Sequence, residues 1–211
     1  MKKICFSGGS SEIVEKKSRF IADVFAVKNE TDVYANIDLV KKKYYDARHH
    51  CYGFVLSSGT QKCSDDGEPS QTAGRPILDV INGEGIVDVL VVVTRYFGGT
   101  LLGTGGLVRA YSSAAKSGIE SSTILEVHAG IKCELVMDYA FYNSFIGYVN
   151  ANDIKVVDSS FLETVSMTII IPYEKLETVE DKITTLSLGR IELTNKKPIS
   201  YVLLDGNTIE C

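Results

Sequence analysis

The sequence is poor in residues that mark several classes of protein. It has no tryptophan, four prolines and three histidines among 211 residues, and none of its five cysteines lies in a C-x-x-C pair. These features argue against a zinc ribbon and a disulfide-stapled secreted scaffold, so we expect free thiols in a reducing cytoplasm. The richest purely apolar stretch, Val89–Val93, has five residues, whereas a membrane-spanning helix needs about 18. The first residues also lack the apolar stretch of a signal peptide, and no membrane partner is expected.

The excess of negative charge lies in the last part of the chain. The whole sequence has 22 Lys and Arg against 27 Asp and Glu, a net charge of −5. Residues 1–128 hold 15 basic and 15 acidic residues, whereas residues 129–211 hold 7 basic and 12 acidic ones. An anion-binding surface is therefore expected in the first part. The acidic last part is expected to avoid RNA or to meet a protein partner.

Hydrophobic periodicity predicts an α+β protein with two domains, residues 1–128 and residues 129–211. In the first domain the predicted strands are 19–27, 51–57 and 86–94, and the predicted helices are 31–45, 72–81 and 104–120. The most apolar strand, 86–94, is predicted to lie at the centre of a sheet. The second domain has predicted strands 131–138, 154–158, 162–171 and 190–204 and helices 139–152 and 174–187. Its order β-α-β-β-α-β is that of a ferredoxin-like sandwich.

The most distinctive segment runs from Thr94 to Tyr111 and carries five glycines within nine residues, namely Gly98, Gly99, Gly103, Gly105 and Gly106. Glycine lets the backbone approach a ligand closely, and a helix that starts after such a turn presents free N–H groups to an anion. Arg95 and Arg109 flank the glycines and can contact phosphate in bidentate fashion. Neither the P-loop nor the G-x-G-x-x-G nucleotide fingerprint is present. A tight strand-to-helix turn without a ligand is the alternative.

A second segment, Cys63–Pro76, holds three carboxylates within four residues: Asp65, Asp66 and Glu68. Such a cluster can bind a hard cation such as Mg²⁺ or serve as an acid/base pair. The spacing is not that of an EF-hand, because Asp65 and Asp66 are adjacent. Turn chemistry alone explains these residue types, so a turn without a metal is favoured.

A third segment, Arg48–Tyr52, combines two histidines with Cys51. The paired spacing of a zinc site is absent, and nothing in the sequence positions a Cys–His nucleophile. Cys51 is predicted to be buried in a strand, and one histidine is predicted to point into solvent. Lys41–Lys43, Arg48 and His49 form a short positive patch, for which a solvated helix end is the common explanation.

In combination and in this order, these three segments resemble the IMPACT/YigZ family, and the match extends over about residues 12–120. Gln71 departs from the family, which usually has a small residue such as glycine there. The resemblance implies an N-terminal domain of the ribosomal protein S5 domain 2 type and a ferredoxin-like C-terminal domain, a pair similar to consecutive domains near the end of elongation factor G. Eukaryotic relatives act in translational control. The resemblance supplies no catalytic residue and no cofactor, and nothing in the sequence supports a dipeptidase.

We therefore expect a cytoplasmic regulator of translation whose first domain binds RNA, the ribosome or a ribosome-associated protein. The residues predicted to contact nucleic acid or another anion are Arg48, His49, Arg75, Arg95, Tyr96, Gly98, Gly99, Gly103, Gly105, Gly106 and Arg109. Tyr96 is expected to offer a stacking face for a base. Two alternatives stay open: a metal-assisted hydrolase that uses Asp65, Asp66 and Glu68, and a purely protein-binding module. No catalytic residue, metal or cofactor is assigned.

Overall fold

A computed structural model describes residues 2–211 and divides the chain into two compact units. The N-terminal unit extends to Glu126, and the C-terminal unit is Val127–Cys211. The division lies two residues before the position expected from the sequence. Both units combine helices and sheets, which confirms the mixed α+β class. Within residues 2–211, no helix is both long enough and apolar enough to span a bilayer.

Three helices and eight strands make up the N-terminal unit. The strands are β1 (Lys3–Ser7), β2 (Ser10–Glu15), β3 (Ser18–Ala26), β4 (His49–Val55), β5 (Gln61–Ser64), β6 (Ile86–Val87), β7 (Val89–Tyr96) and β8 (Thr123–Glu126), and the helices are α1 (Glu30–Lys43), α2 (Gly74–Glu84) and α3 (Gly103–Glu120). Five strands form a sheet in the order β2-β3-β7-β4-β5, and β6-β1-β8 form a smaller one. The predicted central strand is confirmed, because β7 pairs with β3 on one side and β4 on the other.

Both faces of β7 are covered, and this places the helices. Val91 and Val93 belong to a core cluster shared with α2 and α3, whereas Leu90 and Val92 belong to a cluster shared with α1. Because side chains alternate along a strand, every second residue of β7 faces the same layer. Arg95 follows Val91 and Val93 at steps of two residues, so its side chain faces the same layer, that of α2 and α3.

Some boundaries differ from those predicted. The predicted loop 58–71 contains the short strand β5, whose alternation is too brief to be recognised. Asn29, not Thr31, caps α1, because its side chain accepts a hydrogen bond from the backbone N–H of Asp32 at 2.9 Å. An aspartate or asparagine oxygen at this position satisfies one of the unpaired N–H groups of the first turn.

The C-terminal unit contains one five-stranded sheet and two helices. In chain order its elements are β9 (His128–Met137), α4 (Tyr139–Ala151), β10 (Lys155–Phe161), β11 (Val165–Pro172), a 3₁₀ turn (Tyr173–Lys175), α5 (Leu176–Ser187), β12 (Thr194–Leu204) and β13 (Asn207–Glu210). The sheet order is β10-β11-β9-β12-β13. The first six strands and helices follow the predicted order β-α-β-β-α-β, and β13 adds an edge strand that the sequence analysis missed.

Candidate functional site

A pocket in the N-terminal unit joins two segments that are distant in sequence. It measures ≈ 450 Å³ and is lined by Asp46, Ala47, Arg48, His49, Arg95, Tyr96, Phe97 and Leu101. The pairing of β4 with β7 places His49 opposite Arg95. The Arg48–Tyr52 segment and the glycine-rich segment therefore meet at one end of the sheet. We call this cavity the first pocket.

The Arg95 guanidinium lies almost wholly inside the protein and is already neutralised. Only 7% of Arg95 and 9% of Glu68 is exposed, and Arg95 Nη1 donates to Glu68 Oε1 at 2.7 Å. The Tyr111 hydroxyl donates to the same oxygen at 2.8 Å. The expectation that Arg95 contacts phosphate is corrected on this ground, since a guanidinium committed to an internal carboxylate offers no free charge. Its Nε is buried without a hydrogen-bond partner among residues 2–211.

The buried network continues to Cys51. Its thiol donates to the backbone carbonyl of Asp65 at 2.9 Å and lies 3.4 Å from the Tyr111 hydroxyl. Burial raises the pKa of the Cys51 thiol and, likewise, that of Tyr111. A nucleophilic cysteine needs a lowered pKa and access to substrate. Cys51 has neither, so the Cys–His nucleophile is excluded, and its predicted burial in a strand is confirmed.

Thiol labelling tests this part of the structure. Under native conditions at neutral pH we expect N-ethylmaleimide to modify the exposed Cys63 and to spare Cys51, Cys5 and Cys133, which are buried. Burial raises the pKa of Cys5 and of Cys133 to about 11, so these thiols stay protonated until well above neutral pH. Raising the pH to 9 should accelerate modification of Cys63 while leaving Cys51 unmodified. Peptide mapping by mass spectrometry measures each site, and equal rates at Cys51 and Cys63 would contradict the buried network.

The carboxylates of the acidic segment make internal hydrogen bonds that build a loop. Asp66 accepts a hydrogen bond from the backbone N–H of His50 at 2.7 Å, and Glu68 is paired with Arg95. The Asp65 carboxylate accepts three hydrogen bonds, from the backbone N–H groups of Gln71, Ala73 and Gly74. No cluster of His, Cys, Asp and Glu in residues 2–211 has the arrangement of a metal site. The carboxylates of the proposed hydrolase are thus occupied by internal partners.

Gln71, the position that departs from the family pattern, has a left-handed backbone. Its φ is 62°, in the left-handed region, where glycine is the residue without steric penalty. Its N–H reaches Asp65 at 2.8 Å from that conformation. The hydrogen bond holds the loop in place despite the side chain.

The glycine-rich segment forms an exposed bend, residues 97–102, which separates β7 from α3. A Cβ on Gly98 would lie 2.0 Å from the carbonyl carbon of Lys17, so only glycine permits this approach to the β2–β3 turn. The Gly98 N–H donates to Ser18 Oγ at 3.1 Å. The bend is open to solvent, because Phe97 is 57% exposed and Leu101 is 83% exposed. Gly98 thus serves packing, whereas the rest of the bend is accessible to a partner.

Arg109 lies in a different cavity, which we call the second pocket. This pocket measures ≈ 290 Å³ and is lined by Ile13, Glu15, Lys16, Leu102, Gly106, Arg109, Ala110 and Ser113. The bend contributes Leu101 to the first pocket and Leu102 to the second. The structure therefore brings Arg48, His49 and Tyr96 together but assigns Gly106 and Arg109 to the neighbouring cavity.

The other predicted residues are placed as follows. Arg75 lies on α2, pairs with Asp79 at 2.8 Å and lines neither pocket. Gly99 and Gly103 have left-handed backbones, with φ of 82° and 70°. Gly105 faces open space at the start of α3. The Tyr96 hydroxyl donates to Asp46 at 2.7 Å, a bond that raises the Tyr96 pKa.

Several unpartnered cations surround the bend. They are Lys16, Lys17, Arg48 and Arg109, all exposed, and none forms an ion pair or side-chain hydrogen bond with any of residues 2–211. The residues here that were not predicted from the sequence are Lys16, Lys17, Asp46, Phe97 and Leu101. The sequence does hold a signal for this surface, namely the large apolar residues Phe97 and Leu101 within a glycine-rich turn. Exposed apolar side chains in such a turn indicate a contact surface.

His49 is fixed by its neighbour across the loop. Its Nδ1 lies 2.9 Å from the carbonyl oxygen of Asp66. A carbonyl oxygen only accepts, so Nδ1 carries a hydrogen and Nε2 is the remaining nitrogen. His49 is half-buried and lines the first pocket, while His50 is buried.

Comparisons with known proteins agree on one family. The family described as "Impact N-terminal domain" matches residues 16–119. The chain is 31% identical to the IMPACT family member YvyE of Bacillus subtilis (strain 168) over 187 residues, 88% of this chain and 86% of the relative. It is also 31% identical to the IMPACT family member YigZ of Escherichia coli (strain K12), covering 84% and 89%. A crystal structure of a hypothetical protein matches 92% of this chain and 97% of its own, with a TM-score of 0.57 and 29% identity.

Proposed function

Because this chain belongs to the IMPACT family, we propose that it is a regulator of translation whose N-terminal unit binds ribosomal RNA. The family resemblance links eukaryotic members to translational control, which supports a role in regulating translation. The proposal that the N-terminal unit binds ribosomal RNA depends on the surface around the bend. Such a role places the protein in the cytoplasm, where ribosomes work.

One observation carries the RNA proposal. Four exposed cations without partners, Lys16, Lys17, Arg48 and Arg109, surround a bend that also exposes Phe97. The whole chain has a net charge of −5, so four unpaired positive charges around one bend contrast with the protein as a whole. Lysine and arginine next to an aromatic ring are the combination that binds phosphates and stacks on bases.

The two units have different roles in this proposal. The N-terminal unit, of the ribosomal protein S5 domain 2 type, supplies the cations. The ferredoxin-like C-terminal unit carries the excess of acidic residues, which repels RNA and suits a protein partner with a basic surface. The likeness to consecutive domains of elongation factor G supports such a division on the ribosome.

Salt-dependent binding tests the RNA role. The double variant Arg48→Ala/Arg109→Ala should bind a labelled ribosomal RNA fragment more weakly. Each lost phosphate contact reduces the slope of log K against log salt by roughly 0.7–0.9, so two contacts reduce it by about 1.4–1.8. Filter binding from 50 to 200 mM salt measures this change. Lys2→Ala/Lys116→Ala is the control, because it removes the same charge from two exposed residues that line neither pocket.

Two outcomes count against the proposal. Equal slopes for the two double variants would show that the cations around the bend do not contact phosphate. Sedimentation with ribosomal particles that survives nuclease treatment, without binding of naked RNA, would instead favour the protein-binding alternative.

A further inference from the structure

The first pocket has an aromatic wall backed by guanidinium groups. The Arg95 guanidinium carbon lies 5.7 Å from the centroid of the Phe97 ring, and that of Arg19 lies 5.3 Å from the Tyr96 ring. We propose that this pocket binds one unpaired nucleotide of a single-stranded RNA segment, with its base on Phe97 and its phosphate at Arg48. This inference rests on the proposed function and specifies the form of RNA that the protein takes.

The Phe97 ring is suited to a base rather than to a cation. Arg95 occupies one side of the ring, yet 57% of the residue is exposed. A guanidinium on one face draws π-electron density toward itself, so the open face is a poorer site for a second cation. A neutral heteroaromatic ring can still stack there, as bases do on the aromatic residues of single-strand binders. Leu101, 83% exposed, can cover a stacked base with apolar surface.

Arg95 is held rigidly enough to support this wall. Its Nη1 is fixed by Glu68 at 2.7 Å, and its guanidinium also lies 5.4 Å from the centroid of the Phe20 ring. The arginine therefore acts in the site through Phe97, as a positioning residue. This role replaces the phosphate contact expected from the sequence.

The polar groups of the pocket match what an unpaired nucleotide exposes. Arg48 is a free guanidinium at the rim and can hold a phosphate with two hydrogen bonds. One oxygen of Asp46 accepts from Tyr96 at 2.7 Å, and its other oxygen has no partner among residues 2–211. The Nε2 of His49 lies on the opposite side of the ring from the Nδ1 that contacts Asp66, and it is available as a further hydrogen-bonding atom. These atoms suit the amino and imino N–H groups of bases, which a duplex hides in base pairs.

The size of the cavity favours one nucleotide over a duplex. A volume of ≈ 450 Å³ is in the range of small-molecule pockets, about 300–1,000 Å³. Paired bases are stacked inside a helix and cannot enter such a cavity, and double-stranded RNA is recognised along extended grooves. Single-strand preference is therefore the property that the pocket adds to the cationic surface.

The test compares two RNAs on the full chain. The probes are a fluorescein-labelled ten-nucleotide single strand of mixed sequence and the blunt duplex formed with its complement, each titrated by anisotropy. The wild-type chain should bind the single strand roughly tenfold or more tightly than the duplex, as expected for one stacked base. Phe97→Ala should abolish this preference by weakening single-strand binding alone, with the salt slope unchanged. Phe97→Tyr, which keeps the ring, should retain the preference.

The control is Tyr34→Ala, which removes an exposed aromatic ring on α1 that lines neither pocket and should leave both affinities unchanged. Circular dichroism melting of each variant checks that the fold is intact. Equal wild-type affinity for strand and duplex overturns the nucleotide pocket but leaves the RNA role standing. If Phe97→Ala weakens binding to the single strand and to the duplex equally, the nucleotide pocket is likewise overturned and the RNA role stands. If the wild-type chain binds neither RNA, the proposed function itself fails.

Discussion

Replacing Glu68 with alanine should lower the free energy of unfolding of the N-terminal unit by about 3–5 kcal/mol, the range for breaking a buried ion pair by removing one partner. The variant leaves the Arg95 guanidinium inside the core without a counter-charge, at a site where 7% of the residue is exposed. It also removes the acceptor of the Tyr111 hydroxyl. Native-state hydrogen exchange of the β7 amides measures the loss in that unit separately from the other.

Two companion variants separate charge from packing. The double variant Glu68→Leu/Arg95→Met removes both charges and keeps apolar volume, so it should recover most of the loss. Glu12→Ala breaks an exposed pair with Arg19 and should change stability far less, because water already solvates both groups. A small effect of Glu68→Ala, comparable to that of Glu12→Ala, would mean that Arg95 is not held by this carboxylate.

Gly98→Ala is expected to be the second most damaging substitution, lowering stability by about 3 kcal/mol, the upper part of the range for overpacking. The new Cβ would lie 2.0 Å from the carbonyl carbon of Lys17 and 2.4 Å from the nitrogen of Ser18. Both are backbone atoms, so the bend has to move away from the β2–β3 turn. That movement also breaks the hydrogen bond from the Gly98 N–H to Ser18 Oγ.

Gly105→Ala is the matched control within the same segment, and its effect should have the opposite sign. No atom lies within 4 Å of a Cβ built at Gly105, and the residue is in α3, where alanine stabilises a helix by up to about 1 kcal/mol relative to glycine. Thermal unfolding of both variants gives the comparison. A Gly98→Ala protein as stable as Gly105→Ala would refute the close approach of the bend and the turn.

Sequence patterns predicted the elements whose signal is local. The helical spacing of Leu107, Ala110, Tyr111 and Ala114 marked α3, and all four are buried. The continuous apolar run Val89–Val93 marked the central strand. Short edge strands such as β2 and β5 were missed, because four to six residues with one face in solvent carry little hydrophobic signal. Family membership, expected from three motifs in order, is confirmed by the comparisons.

The sequence by itself therefore determined the α+β class, the family and the positions of the main helices, since each depends on periodicity or motifs within a short stretch of chain. Only the tertiary structure decided which charges are available. Arg95 and Arg48 look alike in sequence, but strand register and alternation bring Arg95 to Glu68, 27 residues away, while Arg48 stays exposed. A charge is neutralised by whatever folds next to it in three dimensions, and neither composition nor spacing along the chain carries that information.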